Sequence, residues 1–324
     1  MTTSAARSVS LLGLGPMGEP MAANLVRRLG SLTVWNRTPE RASRMVELGA
    51  RQAASPAEAA CDVVLTALPD LPQVESLLTG PEGLLAGWRG RGAVDPILVV
   101  HGTVSPVAVR EFAERLRADH GVRVVDAPMS GGVPGAERGS LSLMVGGDPD
   151  AVEALEPVFA AVAETVVRMG ECGSGQLAKA CNQVVVAGTI AALCEALCLA
   201  QRGGLPRADL LRALGGGLAG SEVLNQKSAR WLSEDFTGGG SARNQLKDLV
   251  FAVEAANSAG APSEVAELLR AQFGRMVVAG DGDLDHSGLL RTVANSTAHR
   301  EPAGGAVRDG SGQLISMPKT SRAE

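Results

Sequence analysis

The sequence predicts an α/β protein with a doubly wound N-terminal sheet, a long connector helix and an all-α C-terminal domain. In the first half, short apolar runs alternate with helical patterns, which is typical of βαβ units around a parallel sheet. Near residue 176 a long uninterrupted run of helix formers begins. After residue 205 the apolar residues keep a helical period. A chain of 324 residues is long enough for two such domains, each with its own core.

The first half contains six predicted strands and the segments that connect them. Amphipathic or Ala-rich segments lie between the strands, for example Met17 to Leu29 and Pro106 to Ala118, and their lengths suit crossover helices. We therefore assign residues 1–170 to the domain with the doubly wound sheet. The six strands are Val9 to Leu14, Leu32 to Trp35, Val63 to Thr66, Ile97 to Val100, Val122 to Val125 and Leu141 to Val145.

The second half is predicted to be helical. The connector helix is expected over residues 176–201 and ends at the stop signal Gly203. The helical period then continues to about residue 290, with breaks at two glycine-rich turns. We assign residues 171–290 to an all-helical domain that includes the connector. Residues 291–324 are small, polar and rich in Gly and Pro, so we expect a disordered tail there.

Composition and charge exclude several classes of protein. The net charge is −5, the pI is near 5.5 and no stripe of Lys and Arg is present, so nucleic acid is not an expected partner. Because the chain has no Tyr, oxidoreductases built around a Tyr and Lys pair are excluded. The four histidines are scattered and share no metal-ligand spacing with the cysteines, so no metal site is predicted.

Cysteine usage and apolar segments bear on the location of the protein. The five cysteines are odd in number and lack CxxC spacing, and their mostly apolar surroundings predict buried free thiols, which fits a cytoplasmic protein. The first ten residues contain no apolar core of a secretory signal. The longest nearly uncharged apolar stretch, Val184 to Cys194, is shorter than the ~20 residues of a membrane-spanning helix. No membrane segment is therefore expected.

A glycine-rich turn joins the first predicted strand to the first helix. Its pattern is GxGxxG, in which the glycines permit a tight turn, a close approach of the backbone to pyrophosphate and close helix packing. The N-terminus of the following helix supplies N–H donors and a positive dipole. We therefore interpret the first domain as Rossmann-type. The turn that would bind a dinucleotide cofactor comprises Gly13, Leu14, Gly15, Pro16, Met17 and Gly18.

The end of the second strand indicates which dinucleotide is bound. NAD-dependent proteins normally have a carboxylate there for the ribose hydroxyls, but this strand ends in Trp35-Asn36-Arg37-Thr38. Arg37 is suited to pair with a 2′-phosphate, and Asn36 and Thr38 are suited to donate hydrogen bonds to it. The sequence thus predicts NADP (NADPH/NADP⁺) as the preferred cofactor.

Four sequence blocks carry a resemblance to a known family. They are LLGLGPMGEPMAANL at residues 11–25, a segment that begins DAPMSGG at 126–147, GSGQLAKACN at 173–182 and LKDL at 246–249. In this order they resemble the N-terminal signature, substrate-binding segment, catalytic helix and second-domain lysine motif of the β-hydroxyacid dehydrogenases. This family includes 3-hydroxyisobutyrate dehydrogenase and tartronate semialdehyde reductase. The resemblance covers approximately residues 8–290, and four ordered blocks are more specific than one motif.

The resemblance implies hydride transfer, and the residues of the connector helix fit this chemistry. Hydride transfer between nicotinamide and a hydroxyl carbon needs a group that takes or gives the alcohol proton. Lys179 and Asn182 lie three residues apart and share a helix face, so both are able to reach one substrate oxygen. A lysine desolvated at a domain junction has a lowered pKa. We therefore interpret Lys179 as the catalytic general acid/base and Asn182 as a substrate-binding residue.

Other site residues lie on loops of the predicted sheet and in the second domain. Ser130, Gly131 and Gly132 form a small-residue loop in which backbone N–H groups and a hydroxyl suit a carboxylate. The resemblance implies that this loop binds the substrate and that Lys247 closes over the nicotinamide side of the cofactor. Further positions that match cofactor contacts of the family stand at the carboxyl ends of later strands: Leu68, Pro69 and Thr103.

The chain departs from the family pattern at two places. It has His101-Gly102-Thr103 where the family often reads Ser-Thr, which makes His101 a rival proton donor, although a role at the strand end is favoured. After Asp235-Phe236, the glycines of residues 238–240 replace the usual Pro-Gly-Phe turn, so an aromatic side chain near the substrate pocket is missing. Because pocket shape sets the discrimination among small acids, the identity of the substrate stays open.

The sequence therefore predicts an NADP-dependent, metal-free oxidoreductase that interconverts a small 3-hydroxy acid and its semialdehyde. Its expected partners are a small carboxylate-bearing substrate and, by the resemblance, further copies of the chain in a homodimer or homotetramer. One alternative is an imine reductase, which shares the scaffold and the Asn-Arg-Thr signature but usually lacks the catalytic lysine retained here. The other is a cofactor-binding protein without turnover, against which the set Lys179, Asn182 and Lys247 argues.

Overall fold

The computed structural model describes residues 7–298, 307–308 and 314–315. Within these ranges nine strands form one sheet: β1 Val9–Leu12, β2 Thr33–Trp35, β3 Arg51–Gln52, β4 Val63–Thr66, β5 Ile97–Val100, β6 Arg123–Asp126, β7 Met129–Ser130, β8 Leu141–Gly146 and β9 Ala163–Gly170. The helices of the first domain are α1 Gly18–Leu29, α2 Ser43–Glu47, α3 Leu71–Ser76, α4 Leu84–Gly90, α5 Pro106–His120, α6 Gly132–Arg138, α7 Pro149–Ala154 and α8 Glu156–Ala160. Those that follow are α9 Ser174–Arg202, α10 Arg207–Gly215, α11 Glu222–Ser233, α12 Ala242–Ala259, α13 Glu264–Met276 and α14 Leu289–Ala298.

The sheet is mostly parallel and doubly wound, as the sequence predicts. Its strand order is β3-β2-β1-β4-β5-β6-β8-β7, and β9 pairs with β8. The pairings among β1 to β6 are all parallel. The expectation of a parallel sheet is wrong at β8, which runs antiparallel to β6 and β7. The chain returns from β6 to β8 through the short β7 and α6, and only parallel neighbours require a full crossover connection.

The central strands are covered on both faces. Every residue of β4 and β5 is buried. Leu11, Leu65 and Val99 belong to the core on one face of the sheet, whereas Leu12 and Val64 belong to the core on the other face. Strands that are buried on both faces read as continuous apolar runs. This is why these strands are easily recognised from the sequence.

The second domain packs around the connector helix α9. Helices α12, α13 and α14 all contact α9, and its Ile190 and Leu197 share a core with Trp231 and Phe273. With 29 residues, α9 extends beyond the predicted helix at both ends. The sequence predicts no membrane segment, but by length and composition α9 is apolar enough to cross a membrane. The prediction rested on the central stretch of the helix alone. The core helix of a soluble protein passes the same test.

The prediction of a disordered tail from residue 291 is wrong for the first residues of that segment, which are helical. Helix α14 continues to Ala298, because Leu289, Leu290 and Val293 are buried in the core of the second domain. Two short strands, β10 at Val307–Arg308 and β11 at Leu314–Ile315, also pair antiparallel within the expected tail. The remainder of that segment lies outside the described residues.

The cysteines carry free thiols, but their burial is mixed. Cys61, Cys194 and Cys198 are buried, as the sequence predicts. Cys172 is half-buried, and Cys181 is exposed on α9. The prediction of burial is wrong for Cys181, because a helix that packs against several others on one side still presents another side to solvent.

Candidate active site

The carboxyl ends of β1, β4, β5 and β6 lie side by side. The register pairs Leu12 with Thr66, Thr66 with Val100, and Val100 with Asp126. The loops that follow these strands therefore meet at one edge of the sheet. Open α/β sheets bind their ligands at this edge.

The glycine-rich turn after β1 has the geometry of a phosphate-binding loop. Gly13 has a φ of +100°, which favours glycine, and a Cβ there would lie 2.8 Å from the Ala67 carbonyl oxygen. A Cβ on Gly18 would overlap the Gly13 carbonyl oxygen, whereas no atom lies within 4 Å of a Cβ on Gly15. The open space at Gly15, next to the start of α1, is the kind of cradle that a pyrophosphate requires. The turn therefore fits a dinucleotide cofactor.

Of the residues after β2, one supports the glycine-rich turn and the others lie on the surface. Asn36 Oδ1 accepts a hydrogen bond from the Leu14 N–H at 2.9 Å, and Asn36 Nδ2 donates to the Thr38 carbonyl oxygen at 2.9 Å. Asn36 thus holds the glycine-rich turn in place. Arg37 and Thr38 are exposed. Arg41, which the sequence reasoning missed, donates to the Leu14 carbonyl oxygen at 3.4 Å, so a second guanidinium lies near this surface.

Lys179 lies on the second turn of α9, beside the predicted substrate loop. Its Nζ donates to the Met129 carbonyl oxygen at 2.7 Å and to Asn182 Oδ1 at 3.4 Å. Lys179 and Asn182 therefore share a helix face, and Met129 directly precedes Ser130. An ammonium has three N–H donors. Two of them bond to these oxygens, which leaves the third for another acceptor.

Burial changes the proton affinity of Lys179. Only 8% of the residue is exposed. Burial lowers the pKa of Lys179 from 10.5 to about 8; the nearby Asp248 carboxylate opposes this shift and the Lys247 ammonium adds to it. Asp248 is itself buried and accepts a hydrogen bond from Gln183 Nε2 at 2.6 Å. A lysine with such a pKa is able to exchange a proton near neutral pH.

Ser130 at the end of β7, Gly131 and Gly132 at the start of α6 together form a bend. Gly131 and Gly132 have φ angles of +123° and +64°, a region that favours glycine. From the second domain, Gln226 Nε2 donates to the Gly131 carbonyl oxygen at 3.4 Å. Ser130 and Gly131 are half-buried and Gly132 is exposed. A bend of this type is able to present backbone N–H groups to a carboxylate.

Lys247 reaches from α12 to the loops of the first domain. Its Nζ donates to the carbonyl oxygens of Pro69 at 2.5 Å and Thr103 at 2.7 Å. Both carbonyls belong to the predicted cofactor-binding loops, and the side chain of Leu68 packs against the turn at Gly13. The structure therefore brings these four sequence-predicted residues together. Contact of Lys247 with the cofactor itself stays a prediction.

Two side chains that the sequence reasoning missed dock α9 onto the sheet. The Asp126 carboxylate accepts hydrogen bonds from the N–H groups of Gly173 at 2.7 Å and Gln176 at 2.6 Å. Burial raises the pKa of Asp126 to about 6, and these backbone bonds oppose the shift. The Gln176 side chain accepts from the Val104 N–H at 3.0 Å and donates to the Gly102 carbonyl oxygen at 2.8 Å. Together they hold the first turn of the helix that carries the lysine.

The rival proton donor His101 belongs to the core. Its Nδ1 lies 2.7 Å from the Ala127 carbonyl oxygen, and its ring packs edge-on against Phe159. Burial lowers the pKa of His101 to about 4. These contacts support the role at the strand end. Within the described part of the chain, no group of three His, Cys, Asp or Glu residues is arranged to hold a metal ion.

Comparisons with known proteins agree with this geometry. Residues 8–170 match the family model of the NAD binding domain of 6-phosphogluconate dehydrogenase, and residues 173–293 match the model described as NAD-binding of NADP-dependent 3-hydroxyisobutyrate dehydrogenase. The 2-hydroxy-3-oxopropionate reductase of Escherichia coli K12 is 33% identical over 295 residues, which cover 90% of this chain and 99% of that protein.

Solved structures have the same two-domain fold. The Mycobacterium tuberculosis 3-hydroxyisobutyrate dehydrogenase with L-serine has a TM-score of 0.74 at 29% identity, over 89% of this chain and 99% of that one. The imine reductase from Pseudomonas sp. has a TM-score of 0.56 at 23% identity, over 88% of this chain and 99% of that one. At that identity the second likeness is one of fold alone.

The fold and the site define a nicotinamide-dinucleotide-binding oxidoreductase of two domains. One domain supplies the phosphate cradle, and the other brings a buried lysine to the same edge of the sheet. The chain belongs to the β-hydroxyacid dehydrogenase family. The resemblance carried by the four sequence blocks is thereby confirmed.

Proposed function

We propose that the protein is an NADP-dependent dehydrogenase that interconverts a small 3-hydroxy acid and its semialdehyde, with Lys179 as general acid and base. One observation carries this proposal: the buried ammonium of Lys179 bonds to the carbonyl of the residue that precedes the bend 130–132. A proton donor and a bend suited to a carboxylate therefore lie together, and the loop suited to a dinucleotide follows a strand that ends at the same edge of the sheet. These are the parts that the reaction requires.

Each part of the site has a separate role in the proposed reaction. The bend at Ser130, Gly131 and Gly132 binds the substrate carboxylate through backbone N–H groups and the Ser130 hydroxyl. In reduction, the Lys179 ammonium donates its proton to the substrate oxygen that gains negative charge; in oxidation, the neutral amine accepts the hydroxyl proton. Asn182 orients the Lys179 amine and the substrate oxygen. When bound, the nicotinamide supplies or accepts the hydride.

An assay with a panel of substrates tests the proposed reaction. NADPH oxidation is measured with C3 and C4 semialdehydes and with cyclic imines, and NADP⁺ reduction with 3-hydroxy acids. We expect turnover of at least one 3-hydroxy acid and of its semialdehyde. Turnover of imines alone would instead favour an imine reductase, which has the same fold. Tight NADPH binding without turnover of any acid would favour a non-catalytic cofactor-binding protein.

The preference for NADP is proposed from the surface that follows β2. Arg37 and Arg41 are exposed there, and the guanidinium groups suit a 2′-phosphate. The second family model, described as that of an NADP-dependent enzyme, supports this preference.

We expect kcat/KM to be at least ~10-fold higher with NADPH than with NADH, and Arg37→Ser to remove most of the difference. Arg51→Ser, on the neighbouring β3, is the control, and wild-type protein that uses NADH equally well would refute the preference.

A homodimer or homotetramer is proposed from an exposed apolar face of α9. Leu177, Val185 and Leu199 are 42%, 67% and 74% exposed, and their spacing returns them to one side of the helix. A second copy of the chain would bury this face. Light scattering at micromolar concentration should give at least twice the chain mass of 33.1 kDa, and Val185→Glu should lower that value. A wild-type protein that stays at the mass of one chain would contradict the assembly.

A further inference from the structure

The glycine turn of the second domain lies against a histidine ring. A Cβ on Gly240 would lie 3.5 Å from Cε1, 3.6 Å from Nε2 and 3.8 Å from Nδ1 of His286. The backbone N–H of His286 also donates to the Gly240 carbonyl oxygen at 2.7 Å, which holds the two residues side by side. Because residue 240 is a glycine, it adds no side chain of its own on this side of the imidazole.

Two glutamines determine which ring nitrogen of His286 carries the proton. Gln245 Nε2 donates to the Gln183 carbonyl oxygen at 3.5 Å, so the Gln245 amide is oriented with Oε1 toward His286. That Oε1 lies 3.1 Å from His286 Nδ1. Since an amide oxygen only accepts hydrogen bonds, Nδ1 is the donor. In a neutral imidazole Nε2 is then an acceptor.

The charges around His286 keep the ring neutral. Burial lowers the pKa of His286 to about 4, the Lys227 ammonium lowers it as well, and the Asp285 carboxylate opposes these effects. Lys179 and Arg230 add to the lowering. The Asp285 carboxylate is shared, since Lys227 Nζ lies 2.7 Å and Arg230 Nε 3.9 Å from its Oδ2. At neutral pH, Nε2 therefore presents a lone pair in surroundings with excess positive charge.

His286 is connected through neighbouring residues to both parts of the candidate active site, the helix that carries Lys179 and the bend 130–132. The Gln183 carbonyl oxygen orients the Gln245 amide that contacts His286, and Gln183 is one helical turn beyond Lys179. On the other side, Lys227 bonds to Asp285, and its neighbour Gln226 donates to the bend at Gly131. A substrate held by the bend and by Lys179 would therefore have its remaining substituent near His286.

We propose that His286 is a specificity-determining residue whose Nε2 accepts a hydrogen bond from a hydroxyl group that the substrate carries in addition to its carboxylate and its reacting group. This inference rests on the proposed function. An ionised carboxylate only accepts hydrogen bonds, so it would leave the neutral Nε2 without a donor. An ammonium would meet the charges of Lys227, Arg230 and Lys179. A methyl group would leave the polar Nε2 without a partner, which is costly in a desolvated site.

A matched pair of substrates tests the role of His286. The hydroxyl of 2,3-dihydroxypropanoate and the methyl of 3-hydroxy-2-methylpropanoate occupy the same carbon and are similar in size. We expect wild-type kcat/KM to be at least ~10-fold higher for the dihydroxy acid. His286→Phe should lower this value at least ~10-fold and change the value for the methyl acid less than ~3-fold, whereas His286→Asn, which keeps an acceptor, should retain part of the preference. His120→Phe, on the exposed end of α5, is the control.

The outcomes separate this inference from the proposed function. No turnover of any 3-hydroxy acid would refute the proposed function, whereas turnover with the same ratio in wild type and His286→Phe would refute the inference alone. If the variants fail to fold, ¹⁵N NMR of histidine-labelled wild type gives an independent answer, since the chain has only four histidines. We expect Nδ1 of His286 to be protonated and the Nε2 signal to shift when the dihydroxy acid is added to the NADP⁺-loaded protein. A protonated Nε2 in the free protein, or no shift, would refute the inference.

Discussion

Replacement of Lys179 by Met is expected to lower kcat by at least ~100-fold while the affinity for NADPH stays unchanged. Methionine keeps the length of the apolar stem but has no proton to exchange. The cofactor cradle at Gly15 lies on the first domain and does not involve the Lys179 side chain. Steady-state kinetics give kcat, and titration of NADPH fluorescence gives the affinity. Arg89→Met, which removes the charge of an exposed side chain on α4, is the control and should behave like wild type.

The pH dependence of the wild-type enzyme gives a second measure of Lys179. The ammonium form is the acid for reduction and is present below its pKa of about 8, so kcat/KM for reduction should fall as the pH rises through this value. The neutral form is the base for oxidation, so kcat/KM in that direction should rise over the same range. Near-wild-type turnover of Lys179→Met, or pH profiles without a transition near this value, would contradict the assigned role.

The loss of activity in Lys179→Met is not expected to come from unfolding. The shift of the Lys179 pKa from 10.5 to about 8 means that the folded state disfavours the charged form. At pH 7 this corresponds to about 3 kcal/mol against folding. Removal of the charge should therefore leave the free energy of unfolding unchanged or higher, which denaturant titration at pH 7 would measure. A group that costs stability where it is buried is often retained for its activity.

Asp126→Asn is expected to lower the free energy of unfolding by about 1–3 kcal/mol and kcat by about 10–100-fold. The Asp126 carboxylate accepts two backbone N–H groups at the first turn of α9. An amide has one oxygen, so one buried N–H would face the NH₂ group of asparagine and lose its acceptor. The first turn of the helix would then shift, and with it Lys179, three residues after Gln176. Urea titration and steady-state kinetics measure the two effects.

Asp148→Asn is the matched control for the change at Asp126. Asp148 is exposed and forms a surface ion pair with Arg117 at 3.3 Å. Such pairs contribute little to stability, so we expect a change below about 0.5 kcal/mol and a normal kcat. If Asp126→Asn unfolds at the same urea concentration as wild type and keeps its kcat, the docking role of the carboxylate is wrong.

Much of the fold is predictable because its signals are local. The apolar runs of β4 and β5 are recognisable because both faces of these strands are buried. The antiparallel β8 is not recognisable, since the direction of a strand depends on the connection and not on its residues. The end of α14 was missed because its apolar residues are few and pack mainly against α9, which is distant in sequence.

The site was predictable where a residue type implies a chemistry. The glycines of the predicted phosphate loop were singled out because a tight turn favours glycine, and Lys179 because a buried lysine suits proton transfer. Gln176 was missed, since a glutamine that joins Gly102 and Val104 looks like any helix-forming residue until the loop is in place. Asp126 was missed for a similar reason: its two N–H partners follow it by some fifty residues in the chain.

The side-chain bonds to the loop after β5 make the two halves of the chain interdependent. Three successive residues of this loop, Gly102, Thr103 and Val104, bond to the side chains of Gln176 and Lys247. The shape of this predicted cofactor loop is thus encoded partly in residues that follow it by more than seventy positions. Exchange of the helical half between family members should therefore alter this loop. A chimera keeps the shape of the loop only if the incoming half carries an equivalent glutamine and lysine.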